Sequence, residues 1–540
     1  MSDQSTTQSP PAVASLPRYS GPWNREAAAH LLRRTTYGPR IDEINKAQRD
    51  GLDKTLDIVL GSYPLPNPPV KYRDDYEPAV KLGETWVNTP YIGDNKYRGF
   101  SFRSWFYNTM ILEEKTTIRN RMVFFWINYF AIHGQFGDAR SSYQYVRLYQ
   151  ELALGNLRDM LRRITIEPQM LSCLDGTLNH KDNPNENYAR ELMELFTVGK
   201  GELVAKGDYS TFTEKDVVAL ARALTGWVNL DFRFSKEEIP VAARFESSYH
   251  DTGDKQMSHH FGNTVIRNAG ADEYKVVIDI LLKSENTALH FCRRLFRYFV
   301  DYTITPEIEN EVIRPLAQTL LANNYEIKPV LRELFASEFF YQESIRGCVI
   351  KNPIDLLTSC LRPFGEYKHV DWIDLRYRYE IGENYSGYCE TMKLDFQQPP
   401  TISGWQAYYD GPQYHRHWIS PALMQQRYWM VKKVTGRNFH INNNLLPLDL
   451  YSFMQSLTDP HNIDKVVEEI LLIFFPRPVG EQQFLKLKSW LLQGSSEMVW
   501  STEMTGYLAN PNKSSYSRPI EDRLYDFLEK FFGMAEFQLQ

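Results

Sequence analysis

The chain has 540 residues, 43 % hydrophobic and 14 % aromatic, enough for about two to four average domains or one large helical body. Its 61 Lys and Arg against 67 Asp and Glu leave a net charge of −6, without the basic excess that marks a nucleic-acid binder. Five scattered cysteines (Cys173, Cys292, Cys348, Cys360 and Cys389) exclude a disulfide framework or a thiolate zinc site and fit reduced core thiols.

Residues 1–22, MSDQSTTQSPPAVASLPRYSGP, are polar, carry no apolar stretch of the signal-peptide kind, and read as a flexible tail. The longest apolar run, 122–132, is too short to cross a bilayer and is interrupted by Asn128. A soluble cytoplasmic product is expected, with periplasmic placement or export alongside a partner as the alternative.

Residues 23–540 read as one large helical domain, with changes of character near 228–270 and 365–415 where it could divide. Apolar spacing predicts helices over 24–35 and 41–60, then an extended surface connector in YPLPNPPVKYRDDYEP. Two helices follow within 103–132, the second apolar nearly all round and so a candidate central helix. Further helices are expected at 143–154, 157–166, 185–198 and 214–227, with Thr213 and Asp216 spaced as a capping box. Residues 228–268 alternate or bend at Gly and predict a small β-hairpin or irregular insert. Helices resume at 272–282, 285–299, 307–323, 327–336 and 353–361. A long irregular aromatic tract, 365–409, precedes helices at 421–434, 448–457, 464–475, 481–492 and 519–532. The fold class is mainly α: a large multi-helix body with a small insert around 228–268.

NPNENYARELMELFTVGKG, residues 183–201, carries the densest polar pattern. On a helical wheel Tyr188, Ala189, Leu192, Met193, Leu195 and Phe196 share one half, while Glu186, Asn187, Arg190, Glu191, Glu194 and Thr197 share the other. The polar half is either a solvated face with Glu186–Arg190–Glu194 as i,i+4 ion pairs, or the wall of a cleft. A second cluster, His250-Asp251-Thr252-Gly253-Asp254-Lys255, can orient a general base or bind a hard cation. Its plainer reading is a turn in which Asp251 caps the backbone and Gly253 supplies a positive φ.

Several segments in one order, RMVFFWINYF, LDGTLNHKDNPNENYARELMELFTVGKG, FTEKDVVALARALTGW, YHDTGDKQMSHHFG and ISGWQAYYDGPQYHRHWIS, resemble the bacterial family catalogued as domain of unknown function 1800. The resemblance runs from about residue 25 to the end. It implies a mainly helical body with no established reaction. It also implies genes that often lie beside those of domain-of-unknown-function-1501 proteins, which look like sulfatase or phosphatase relatives. Many family members carry export signals. The family pattern in the central helix is Trp-His-Asn-His-Phe, and here it reads Trp126-Ile127-Asn128-Tyr129-Phe130. Two imidazoles are replaced, and His133, one turn beyond Tyr129, could stand in for part of any chemistry they perform.

The 250–255 turn recurs in the family alongside the carboxylate helix, so the two are expected to share a polar cleft. There His250, Asp251 and Glu191 are the catalytic candidates. Arg190, Asn187 and Lys255 are the substrate-binding candidates, and Glu191, Glu194, Asp251 and Asp175 the metal ligands. Carboxylates gathered this way repel unless Mg²⁺ or Ca²⁺, Arg190 or a raised pKa relieves them. His259-His260 is weaker, because adjacent histidines in a strand point to opposite faces; His415 and His417 could share a face but lack a third ligand nearby. The aromatics around Trp405, Tyr408, Tyr409, Tyr414 and Trp418 suit packing or sugar stacking.

Two readings follow. One is an accessory or interaction protein acting with the sulfatase/phosphatase-like partner in assembly, export or processing of envelope or extracellular material. It expects an exposed apolar or aromatic patch within 365–418. The other is a hydrolase-like enzyme with a carboxylate-rich, divalent-cation-dependent cleft.

Overall fold

Asn24 starts helix α1 (Arg25–Thr35) by accepting the Ala27 N–H, and Arg33 and Arg34 close its last turn, where the helix dipole favours cations. A computed structural model of the chain describes residues 15–73, 78–90, 96–111, 115–133, 138–230, 241–364, 374–409, 411, 414–441 and 444–540. Helices α2 (Ile41–Val59), α3 (Lys96–Ile111), α4 (Arg119–Tyr129), α5 (Ala139–Glu151), α6 (Leu157–Thr165) and α7 (Pro168–Cys173) follow. Every residue of α4 is buried, as its all-round apolar sequence predicts. The buried arginines of α4 are spent internally: Arg121 donates to the Thr36 and Arg33 carbonyls and pairs with Asp355 at 2.6 Å.

Helix α8 (Glu186–Glu194) leads through the hairpin β1 (Leu203–Ala205) and β2 (Asp208–Tyr209) into α9 (Glu214–Ala223). Thr213 and Asp216 form the expected capping box at the head of α9. The predicted insert contains antiparallel pairs β3 (Trp227–Asn229) with β4 (Ala243–Phe245) and β5 (Lys255–Gln256) with β6 (Val265–Ile266); residues 231–240 lie outside the described residues. Helices α10 (Glu273–Leu282) and α11 (Glu285–Phe299) match their predicted spans closely. The single helix expected over 307–323 is α12 (Pro306–Ile308), a π-helical turn at Glu309–Ile313 and α13 (Arg314–Ala322). Then come α14 (Ile327–Phe335) and α15 (Pro353–Ser359).

The 365–409 tract departs from expectation, for α16 (Leu375–Thr391) runs through it; residues 365–373 lie outside the described residues. Tyr, Arg, Glu and Gly alternate there without an apolar stripe, so periodicity gives no helix signal. Close approach to α3 supplies the stabilisation instead. A Cβ added to Gly382 would lie 2.3 Å from the Ser104 carbonyl oxygen, so only glycine lets the two backbones meet. Within the remainder, Trp405 and Trp418 are buried, which is the packing role.

Helix α17 (Pro421–Val434), the hairpin β7 (His440–Ile441) and β8 (Asn444–Leu445), α18 (Leu450–Ser456), α19 (Ile463–Phe474), α20 (Glu481–Leu492), α21 (Glu497–Ala509) and α22 (Ser514–Phe532) complete the chain. α21 was not expected, and α22 begins ahead of its prediction with Pro519 inside it. The fold is mainly α with short strand pairs, and its buried apolar residues form one cluster from Leu16 to Phe537. Among the described residues no helix is long and apolar enough to cross a membrane.

Candidate functional site

Helix α8 is set by the loop that feeds it. Asn185 caps the helix, accepting the Asn187 N–H, and donates its own N–H to the Asn179 side chain at 2.8 Å. Buried Asn179 donates in turn to the Ala221 carbonyl at 2.8 Å, which ties the start of α8 to the end of α9. The Asn187 amide donates to the Leu174 carbonyl at 3.3 Å. Asp175 sits in the left-handed region at φ 57° with its side chain exposed, and its carbonyl accepts from Asn185. Tyr188, Ala189, Leu192 and Met193 form the buried face, as the wheel predicts. Thr197, placed on the polar half by the wheel, is buried: the helix has ended by then, and the hydroxyl donates to the Leu192 carbonyl at 2.7 Å.

On the other face Arg190 is the centre of an ion-pair ladder. It binds Glu214 of α9 through both carboxylate oxygens, at 2.9 and 2.7 Å, with Glu186 at 3.3 Å and Glu194 at 3.9 Å. Lys200 closes the row on Glu194 at 3.2 Å. The Arg190 hydrogen bond holds the Glu214 carboxyl below its ordinary range. Glu191 differs: among the described residues it has no ion pair or hydrogen bond of its side chain. Burial, then the Glu194 charge, raises its carboxyl.

The 250–255 turn is buried at its two ends, His250 and Lys255, while Thr252, Gly253 and Asp254 are exposed. His250 is buried, with Nδ1 2.9 Å from the Thr225 carbonyl oxygen and Nε2 3.1 Å from Glu273 Oε2. Lys255 and Glu273 expose 0 % of their side chains and meet at 2.5 Å. Lys255 also donates to the Asp251 carbonyl, and the Ala269 N–H donates to Glu273 at 3.1 Å. His250 and Lys255, expected in a cleft as proton carrier and substrate ligand, are instead enclosed partners of Glu273. A buried carboxylate demands such company, since leaving it unpaired costs several kcal/mol. Asp251 is half-buried and held by Arg222 at 2.6 and 3.1 Å, which keeps its carboxyl below the usual range. It accepts the Gly253 N–H at 2.8 Å, the capping role of the plainer reading. The positive φ belongs to Gly226, at 98°, and not to Gly253. A Cβ there would press to 3.0 Å on Phe245 and 3.2 Å on His250.

Helix α9 therefore connects the two clusters. Glu214, its first residue, takes Arg190, and Arg222, eight positions on, takes Asp251. At 1.5 Å per residue these anchor points are about 12 Å apart along the helix. Glu191, Glu194, Asp251 and Asp175 are not brought together as cation ligands. Among the described residues, the group of three His, Cys, Asp or Glu side chains with all ligand atoms within 4.8 Å is Asp208, His259 and His260. The adjacent histidines lie in a 3₁₀ turn, His259–Phe261, and not in a strand, so their rings come within 4.0 Å instead of pointing apart. His415 stacks on Tyr302 at 3.4 Å, while His417 meets Trp418 edge-on, so these two imidazoles have separate settings.

Sequence reasoning missed Glu214, Arg222 and Glu273. Glu214 was legible as a first-turn acid, but its partner is 24 residues away and no local spacing points to it. Glu273 reads as an ordinary helix start and is recognised only from its burial. In the central helix, Tyr129 is buried and donates to the Phe196 carbonyl at 3.1 Å, which ties α4 to the chain leaving α8. Ile127 is plain core, and His133 Nδ1 lies 2.8 Å from the Pro399 carbonyl oxygen.

A helical body of this size, with ion pairs closed upon one another around α8 and α9, defines a class by its fold and not by a reaction. The chain belongs to the family described as "Protein of unknown function (DUF1800)", whose model matches residues 30–539. No curated protein and no solved structure matches it.

Proposed function

We propose that the chain is an accessory or interaction protein that works with a sulfatase/phosphatase-like partner in assembly, export or processing of envelope or extracellular material. The observation that carries this reading is the internal pairing around α9: Arg190, Glu194, Asp251, His250 and Lys255 each meet a partner inside the protein. A cleft built to hold a charged substrate needs charges left over, and here half-buried Glu191 and exposed Asp175 are the exceptions. Apolar surface is exposed elsewhere. Among the described residues of 374–418, where the patch was expected, no large apolar side chain is exposed. Instead α20 presents Leu485, and α21 presents Met498 (79 % exposed) and Val499, the two helices being bridged by Lys488–Glu497 at 2.6 Å. Exposed Met on a helix pair suits a protein interface.

The test is direct binding between this chain and a domain-of-unknown-function-1501 protein. Saturable binding is expected, weakened at least about tenfold by Leu485→Asp with Met498→Asp. Absence of binding at about 100 μM would remove the proposed partner.

One observation favours the second reading, a cation-dependent hydrolase using Mg²⁺ or Ca²⁺. Glu191 is half-buried, and its raised carboxyl suits a general acid. If that reading holds, Glu191→Gln abolishes Mg²⁺ or Ca²⁺ binding while the fold stays intact.

A further inference from the structure

Independently of that reading, we infer that Asp208, His259 and His260 form a binding site for a Zn²⁺-type cation on the edge of the α8–α9 unit. Two imidazoles and one carboxylate are the donor set that such ions take, and imidazole nitrogen discriminates against Mg²⁺ and Ca²⁺. The ligands come from the β1–β2 hairpin and the His259–Phe261 turn, with Asp208 and His260 separated by 52 residues. His260 Nε2 already lies 3.0 Å from Asp208 Oδ1, and all three ligand atoms fall within 4.8 Å. Bonds of about 2.0–2.1 Å in a tetrahedron place ligand atoms roughly 3.4 Å apart, so a small rotation of exposed His259 completes the set.

Both segments are fixed on the head of α9. Buried Asp216 accepts the Ser258 N–H at 2.7 Å and its hydroxyl at 2.6 Å, besides capping Thr213. The Ser258 hydroxyl oxygen accepts the His260 N–H at 3.3 Å, which starts the histidine turn. On the other side the Gly207 carbonyl accepts the Glu214 N–H at 2.9 Å, seating the β1–β2 hairpin that carries Asp208. Such backbone anchoring is what lets a surface site hold its ligands in place before the ion arrives. The ion ties the hairpin to the turn, and the exposed side of His259 leaves a fourth position for water.

The experiment is calorimetric titration of the tag-free full chain with ZnCl₂, followed by CoCl₂ and visible spectroscopy. One equivalent of Zn²⁺ is expected, with the d–d bands of low-coordinate Co²⁺. Asp208→Asn and His260→Ala each weaken binding at least about tenfold with an unchanged circular dichroism spectrum. His259→Ala is the variant to read if either of these fails to fold, since the His259 side chain makes no hydrogen bond among the described residues. Binding of less than about half an equivalent by the wild type, or equal affinity in His259→Ala, overturns the site.

Discussion

The two ends of α9 hold the same kinds of charged residue and put them to different use. At its last turn the insert encloses His250, Glu273 and Lys255, with no exposed area on the Lys255 and Glu273 side chains. At its first residue the Glu186–Arg190–Glu214 ladder faces solvent, with Arg190 29 % and Glu214 40 % exposed. Burial decides the outcome. A charge taken out of water is costly unless its partner stays, whereas an exposed pair is screened and contributes little. The enclosed cluster is thus a structural joint between β5 and α10, and the exposed ladder is a soft clamp between α8 and α9.

The largest expected effect tests the enclosed end. Lys255→Met leaves Glu273 buried with His250 Nε2 and the Ala269 N–H as its remaining partners and should destabilise the protein by about 3–5 kcal/mol in urea unfolding at pH 7. Adding Glu273→Leu should recover part of that loss, because an apolar pair carries no orphaned charge. Asp251→Asn, at the boundary between the two regimes, should cost about 1 kcal/mol by the same assay. The Asp251 carboxyl is lowered in the folded protein, so its contribution is present above the ordinary carboxylate range and lost as pH falls through it. The wild-type and Asp251→Asn stabilities should therefore converge in acid.

Arg190→Ala should cost at most about 1 kcal/mol, and the loss should shrink at about 1 M NaCl because these charges reach solvent. A salt-independent loss of several kcal/mol would erase the contrast between the two ends. The smallest effect has the opposite sign. Burial and Glu194 raise the Glu191 carboxyl, so its charge works against folding at neutral pH, and Glu191→Gln should stabilise by a few tenths of a kcal/mol. That gain appears as pH rises above the ordinary glutamate range and vanishes below it.

Much of the fold was legible where period and caps agreed. α4, the α9 capping box and the α11 and α20 spans rest on local pattern, which the folded protein keeps. α16 was not legible, because its stabilisation comes from Gly382 against Ser104 across a gap in sequence that no periodicity records. The buried half of α8 was read correctly for the same local reason. On its polar half the Glu186–Arg190–Glu194 ion pairs were legible from i,i+4 spacing, whereas Glu214 and Lys200, which complete the ladder, lie beyond the helix and were not. His259-His260 was read as a strand pair. Ser258 held by Asp216 makes it a turn, and that reverses which way the two rings point.

The most direct test of the paired-charge reading is calorimetric titration of the tag-free full chain with Mg²⁺ and with Ca²⁺. No saturable binding below millimolar concentration is expected, and Glu191→Gln and Asp251→Asn should behave as the wild type. One equivalent of either ion bound by the wild type and lost in those variants would contradict it and make the α8 face a cation-binding cleft.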